Sequence, residues 1–93
     1  MINVPSVTSI DNALKVYYEN SEIGNNEITE LFGKRSSATI SRLKRAVKNE
    51  MTKRETMSYG LNKVNTKIAY EIWGIDVVDL EQRLKKLKNL KLK

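Results

Sequence analysis

The sequence predicts an all-α fold: a compact helical bundle with an amphipathic helix at its C-terminal end. Two observations predict it. Apolar residues recur at three- and four-residue spacings through most of the chain, which lines them along one side of a helix. The breaks between these runs hold Gly, Asn, Ser or Asp, the residues that start and stop helices. A chain of 93 residues, 40% of them apolar, has room for one compact domain and a short accessory element.

Residues 1–8 read as an irregular arm. From Ser9 onward, Ile10, Ala13, Leu14, Tyr17 and Tyr18 share one helical face, with Ser9 as N-cap and Asp11 in the first turn, where the helix dipole favours an acid. The polar run from Asn20 to Asn26 breaks that helix. A second, short helix follows, with Asn26 as its candidate cap, Ile28, Leu31 and Phe32 as its apolar side, and Gly33 at its C-terminal stop. A third helix is expected to start at Ser36 or Ser37 and run to about Met51, with Ile40, Leu43, Val47 and Met51 in a narrow stripe. Residues 52–64 have weak periodicity and read as a connector. Asn65 or Thr66 caps a fourth helix carrying Ile68, Ala69, Ile72 and Trp73, closed by Gly74. Asp76 caps a fifth, with Val77, Leu80, Leu84 and Leu87 at 3-4-3 spacing. Two segments echo each other: 27–33 and 67–74 are both short helices stopped by Gly.

Charge is segregated along the chain. The net charge of +6 divides into −4 over residues 1–33, +7 over 34–54, −3 over 55–82 and +6 over 83–93. Two basic blocks on an otherwise acidic body point to a polyanionic partner. With no Cys and no His, a structural zinc site, a thiol nucleophile and an imidazole base are excluded. No P-loop, dinucleotide fingerprint or nucleophile–base pair occurs, and Glu27 and Glu30, one turn apart, read as a surface pair. No catalytic residue, metal, cofactor or small-molecule ligand is expected. The first residues show no signal-peptide pattern and no apolar run approaches the ~20 residues of a membrane span. The expectation is a soluble, cytoplasmic protein with no membrane partner.

The richest constellation lies at residues 26–50. A short helix ends in Gly33, a turn of three or four residues follows, and a Ser-capped helix rich in Arg and Lys comes next. Ile28, Leu31 and Phe32 are expected to pack on Ile40, Leu43 and Val47. Rotating the third helix by roughly 100° per residue then points Ala38, Ser41, Arg42, Arg45 and Asn49 outward, flanked by Ser37 and Lys48. No acid interrupts that face. Small residues near its start permit close approach to base edges, and Arg42 and Arg45 suit guanine edges or phosphate. Lys34, Arg35 and the Ser36 cap region, with the helix-terminal amides, suit a phosphate.

This stretch, Glu27-Ile-Thr-Glu-Leu-Phe-Gly-Lys-Arg-Ser-Ser-Ala-Thr-Ile-Ser-Arg-Leu-Lys-Arg45, resembles the helix-turn-helix of small prophage, plasmid and transposon regulators. The resemblance covers residues 26–50. The spacing from Gly33 to Ile40 is one residue longer than usual in that pattern, and Lys34 stands where an apolar residue is common. The resemblance implies duplex DNA as partner and regulation of transcription as role. The alternatives are an excisionase-like or replication-accessory DNA-binding protein, and a protein–protein adaptor docking an acidic partner. Residues 1–52 form the expected DNA-binding region, 53–64 the connector and 65–93 a C-terminal helical region.

Two readings compete for the C-terminal seam. Val77, Leu80, Leu84 and Leu87 either pair with a second copy in a homodimer or fold back on the first and fourth helices, with Trp73 as anchor. The dimer reading draws on the small size of a single DNA-binding module. A second helix-turn-helix at 66–88 is disfavoured because Asp76, Asp79 and Glu81 crowd its would-be reading helix. Of the six aromatic residues, all but Tyr59 are expected in the core. The tail from Arg83 to Lys93 reads as a solvated helix end or a second backbone contact.

Overall fold

The computed structural model describes residues 4–60 and 62–91; Met1–Asn3 of the expected arm, Leu61 of the connector, and Leu92 and Lys93 of the tail lie outside the described residues. Helices make up 65% and strands 5% of the structure. The helices are α1 (Ile10–Glu19), α2 (Asn25–Phe32), α3 (Ser37–Lys53), α4 (Thr66–Ile72) and α5 (Val77–Lys91), with two short strands, β1 (Glu22–Ile23) and β2 (Val64–Asn65). The strands, absent from the sequence expectation, pair antiparallel with Glu22 opposite Asn65 and Ile23 opposite Val64. No helix among the described residues is long and apolar enough to cross a membrane.

Local signals set most boundaries. The Ser9 side chain accepts from the Asn12 N–H, Ser36 from Thr39, Asn65 from Ile68 and Asp76 from Asp79. Each satisfies one of the amide donors that a helix start leaves without a partner. Gly33 and Gly74 end their helices with φ of 79° and 71°, in the left-handed region that glycine enters without strain. The α2 start departs from expectation. Its cap is Gly24 rather than Asn26, and the Glu27 carboxylate reaches back to accept from the Gly24 N–H at 2.7 Å. Because β1 ends at Ile23, the helix follows the strand directly and leaves no room for a later cap.

Helices of seven and eight residues such as α4 and α2 are too short to stand alone and depend on packing. One continuous buried cluster supplies it, drawing Ala13, Leu14 and Val16 from α1, Ile28, Leu31 and Phe32 from α2, Leu43, Val47 and Met51 from α3, Ile68, Ala69 and Tyr70 from α4, and Leu80 from α5. This cluster crosses the connector that separates the N- and C-terminal regions in sequence. Each fully buried large apolar side chain contributes ~1.5–3 kcal/mol. The described part of the arm, from Val4, is pinned: the Thr8 N–H donates to the Leu31 carbonyl at 2.7 Å, and Val4 and Val7 pack against the core.

The architecture holds two successive units of strand, short Gly-stopped helix and longer helix: β1–α2–α3 and β2–α4–α5. The residues before the two stop glycines, Phe32 and Trp73, meet edge to face with ring centroids 5.4 Å apart. The internal echo in the sequence thus corresponds to a packing relation between the two units.

Candidate functional site

Gly33 makes the sharp exit from α2. Its N–H donates to the Thr29 carbonyl at 2.8 Å, and a Cβ there would stand 3.3 Å from the Thr8 methyl group. Arg35 Nε then donates to the Phe32 carbonyl at 3.1 Å, satisfying an acceptor at the end of α2 while the residue itself stays exposed. Ser36 turns the chain into α3. Behind the turn, Ile28, Leu31, Phe32, Leu43 and Val47 are buried and Ile40 partly so.

The residues expected to face outward do so together. Lys34, Arg35, Ser36, Ser37 and Ala38 are exposed, and so are Ser41, Arg42, Arg45, Lys48 and Asn49 along the following turns. The only acid of α3, Glu50, is drawn to Arg54 at 2.8 Å, and Arg54 also reaches Glu71 of α4 at 2.8 Å. The two carboxylates, Glu50 first, hold the Arg54 guanidinium above its ordinary pKa. Arg54 is therefore engaged by carboxylates of its own chain at the surface, and the acid-free surface of α3 is centred on residues 37–49. The orientation of α3 is fixed from behind: Trp73 Nε1 donates to the Leu43 carbonyl at 3.2 Å, and the buried indole packs on Phe32. Trp73 thus ties α4 to α2 and α3.

Three features of this region escape the sequence reading. Lys44 is buried, 9% exposed, with Nζ donating to Asn25 Oδ1 at the start of α2, 3.1 Å away. Burial, then the neighbouring charge of Lys48, pushes its amine below the ordinary lysine range. Residues 58–60 of the connector are also held in place. The Glu22 carboxylate accepts from the Tyr59 N–H at 2.7 Å, the Gly60 N–H at 2.7 Å and the Ser58 hydroxyl at 2.9 Å. These donors, the Tyr59 amide foremost, hold Glu22 below its ordinary pKa against the opposing effect of desolvation. This clamp lays the loop beside α3, where Asn62, at φ 60°, joins Asn25, Ser41, Lys44, Arg45 and Lys48 around a polar cleft. Tyr59 projects into solvent, 96% exposed.

The C-terminal seam lies against the protein's own core. Leu80 is buried, Val77 and Leu84 pack on the cluster, and Leu87 is half-exposed. Tyr18 corrects the aromatic expectation. It is exposed on α1, and its hydroxyl donates to Glu81 on α5, a bond that raises its pKa. Its place inside α1 is taken by Val16, because α1 is covered by both α2 and α5. Tyr17 stays partly buried against Tyr70, whose hydroxyl donates to the Ala13 carbonyl at 2.6 Å.

Compared with known protein families, curated proteins and solved structures, the chain matches none.

Proposed function

We propose that residues 26–50 act as a helix-turn-helix and that the chain is a sequence-specific double-stranded DNA-binding protein, a transcriptional regulator of mobile-element type that reads the major groove with helix 37–50. The observation that carries this reading is the exposed, acid-free face of α3, backed by a buried apolar stripe. A major groove ~12 Å wide admits one α-helix, and only side chains on its outward face reach base edges. Ser37, Ala38 and Ser41 are short, so the N-terminal half of α3 can approach closely. Arg42 and Arg45 then supply planar donor forks for guanine. Lys34 and Arg35, in the turn, suit the flanking phosphates.

The reading includes two copies acting together on DNA in the cytoplasm, since paired half-sites multiply the specificity of one small module. Leu80, Leu84 and Val77 are occupied within the monomer, so the contact between copies falls to the exposed edge of α5 near Leu87 and Leu90. Selection of bound duplexes from a random DNA pool tests the whole reading. An enriched motif with two-fold repeats is the expected result. Salt-sensitive binding without any enriched motif would shift the role to DNA shaping, and absence of duplex binding would end the DNA reading.

A further inference from the structure

The cleft beside α3 has a volume of about 380 Å³ and is lined by Asn25, Ser41, Lys44, Arg45, Lys48 and Asn62. Three of these side chains are cationic and none is anionic. Among the described residues, neither Lys44 nor Arg45 nor Lys48 forms an ion pair. Lys44 is the unusual member. A lysine this deeply buried normally has a carboxylate partner, because burial strips its hydration and a neutral acceptor restores little of it. Its partner here is the Asn25 amide oxygen. Two further cations on the same cleft add repulsion. Glu27, which lines the adjoining hollow, does not offset this, since its carboxylate is turned to the Gly24 N–H. Asn25 also opens α2, whose dipole presents its positive end there.

We propose that this cleft is a phosphate-binding site in which Lys44 forms the cationic floor, Lys48 closes over the anion from the rim, and Ser41 and Asn62 donate neutral hydrogen bonds. An oxyanion placed there would relieve the mutual repulsion of three cations and give Lys44 the charged partner it lacks. Two sources offer the same chemistry: a DNA backbone phosphodiester and a free phosphate. The first rests on the DNA reading above; the site itself does not.

Lys44→Met keeps the buried stem and removes the charge, Lys48→Met does the same on the solvent-exposed rim, and Lys15→Met, exposed on α1, is the control for net charge. Inorganic phosphate is titrated against chloride at equal ionic strength, following backbone amide NMR signals. Duplex affinity is measured across a salt series. In wild type, phosphate is expected to move the Asn25, Ser41 and Asn62 signals, and both cleft variants weaken that binding ~10-fold or more. With a phosphodiester as occupant, the salt slope of duplex binding also becomes shallower by ~1 in each cleft variant. Loss of the phosphate response with an unchanged duplex slope supports the site with free phosphate as occupant, and the reverse supports it with the DNA backbone. Folded cleft variants that match Lys15→Met in both assays would overturn the site. Wild-type protein that binds phosphate but no duplex would retire the DNA reading and leave the site standing.

Discussion

Replacing Leu80 with Ala isolates the part α5 plays in the fold. Leu80 is 9% exposed and sits in the same cluster as the buried side of α1. Buried Leu→Ala changes cost ~2–5 kcal/mol, the spread reflecting how far the surroundings relax into the space. Leu80 lies at the rim of the core, in the first turn of α5, so the lower part of that range applies, ~2–3 kcal/mol. In a domain of this size each kcal/mol moves the midpoint by ~4–8 °C, giving a fall of ~8–24 °C. Leu87, on the same helix and 46% exposed, is the internal control. Its truncation should cost ~1 kcal/mol or less, since about half of its apolar surface is already in water. Urea and thermal unfolding, followed by helix circular dichroism and by the fluorescence of the single Trp73, measure both variants at several protein concentrations. The larger loss for Leu80 should be independent of concentration. A Leu80→Ala protein with wild-type stability but halved mass would refute the packing described and turn α5 toward a second copy.

The remaining expectations concern the connector and the basic face. Glu22→Gln should loosen the 58–60 loop, and its stability deficit should depend on pH. Because the folded-state pKa of Glu22 is depressed below 4.5, its stabilisation is present above the ordinary carboxylate range and is lost as pH falls through the lower folded value. The gap between wild type and variant should therefore be open near neutrality and close in acid; a gap that widens on acidification would reverse the assignment. Arg42→Ala and Arg45→Ala should each weaken specific duplex binding by ~1–3 kcal/mol and non-specific binding much less, and equal losses on both would reduce them to phosphate contacts. The log of affinity should fall against log salt with a slope on the order of −4 to −8 for a dimer, and a flat response would point to a protein partner instead.

Much of the helical order was legible because its determinants are local. Ser9, Ser36, Asn65 and Asp76 act on amides three residues away, and Gly33 and Gly74 act through their own φ. The outward set on α3 was legible for the same reason: once Leu43 and Val47 face inward, helical geometry dictates the rest. What escaped depends on partners far along the chain. The strand pair joins residues some forty positions apart, and two residues of strand carry no periodicity. The Glu22 clamp on residues 58–60 joins two segments that each read as polar loop. Tyr18 was misplaced because a single-face reading of α1 cannot show that a second helix covers its flank, which draws Val16 inward and leaves the tyrosine at the edge beside Glu81. Lys44 was missed because it borders the apolar stripe, and its burial depends on where the start of α2 and the returning loop come to rest. The folding back of α5 was one of two readings, since the same leucine spacing serves either partner.

In the function proposed above, α3 meets DNA through its outward face. The most direct measurement is a backbone amide NMR titration with a duplex obtained by selection, at moderate salt so that diffuse charge contacts are screened. The prediction is that the largest perturbations fall on residues 34–49, with Ser37, Ala38, Ser41 and Arg45 foremost and α4 little changed. Perturbations concentrated on the basic end of α5, with the α3 face unmoved, would contradict it.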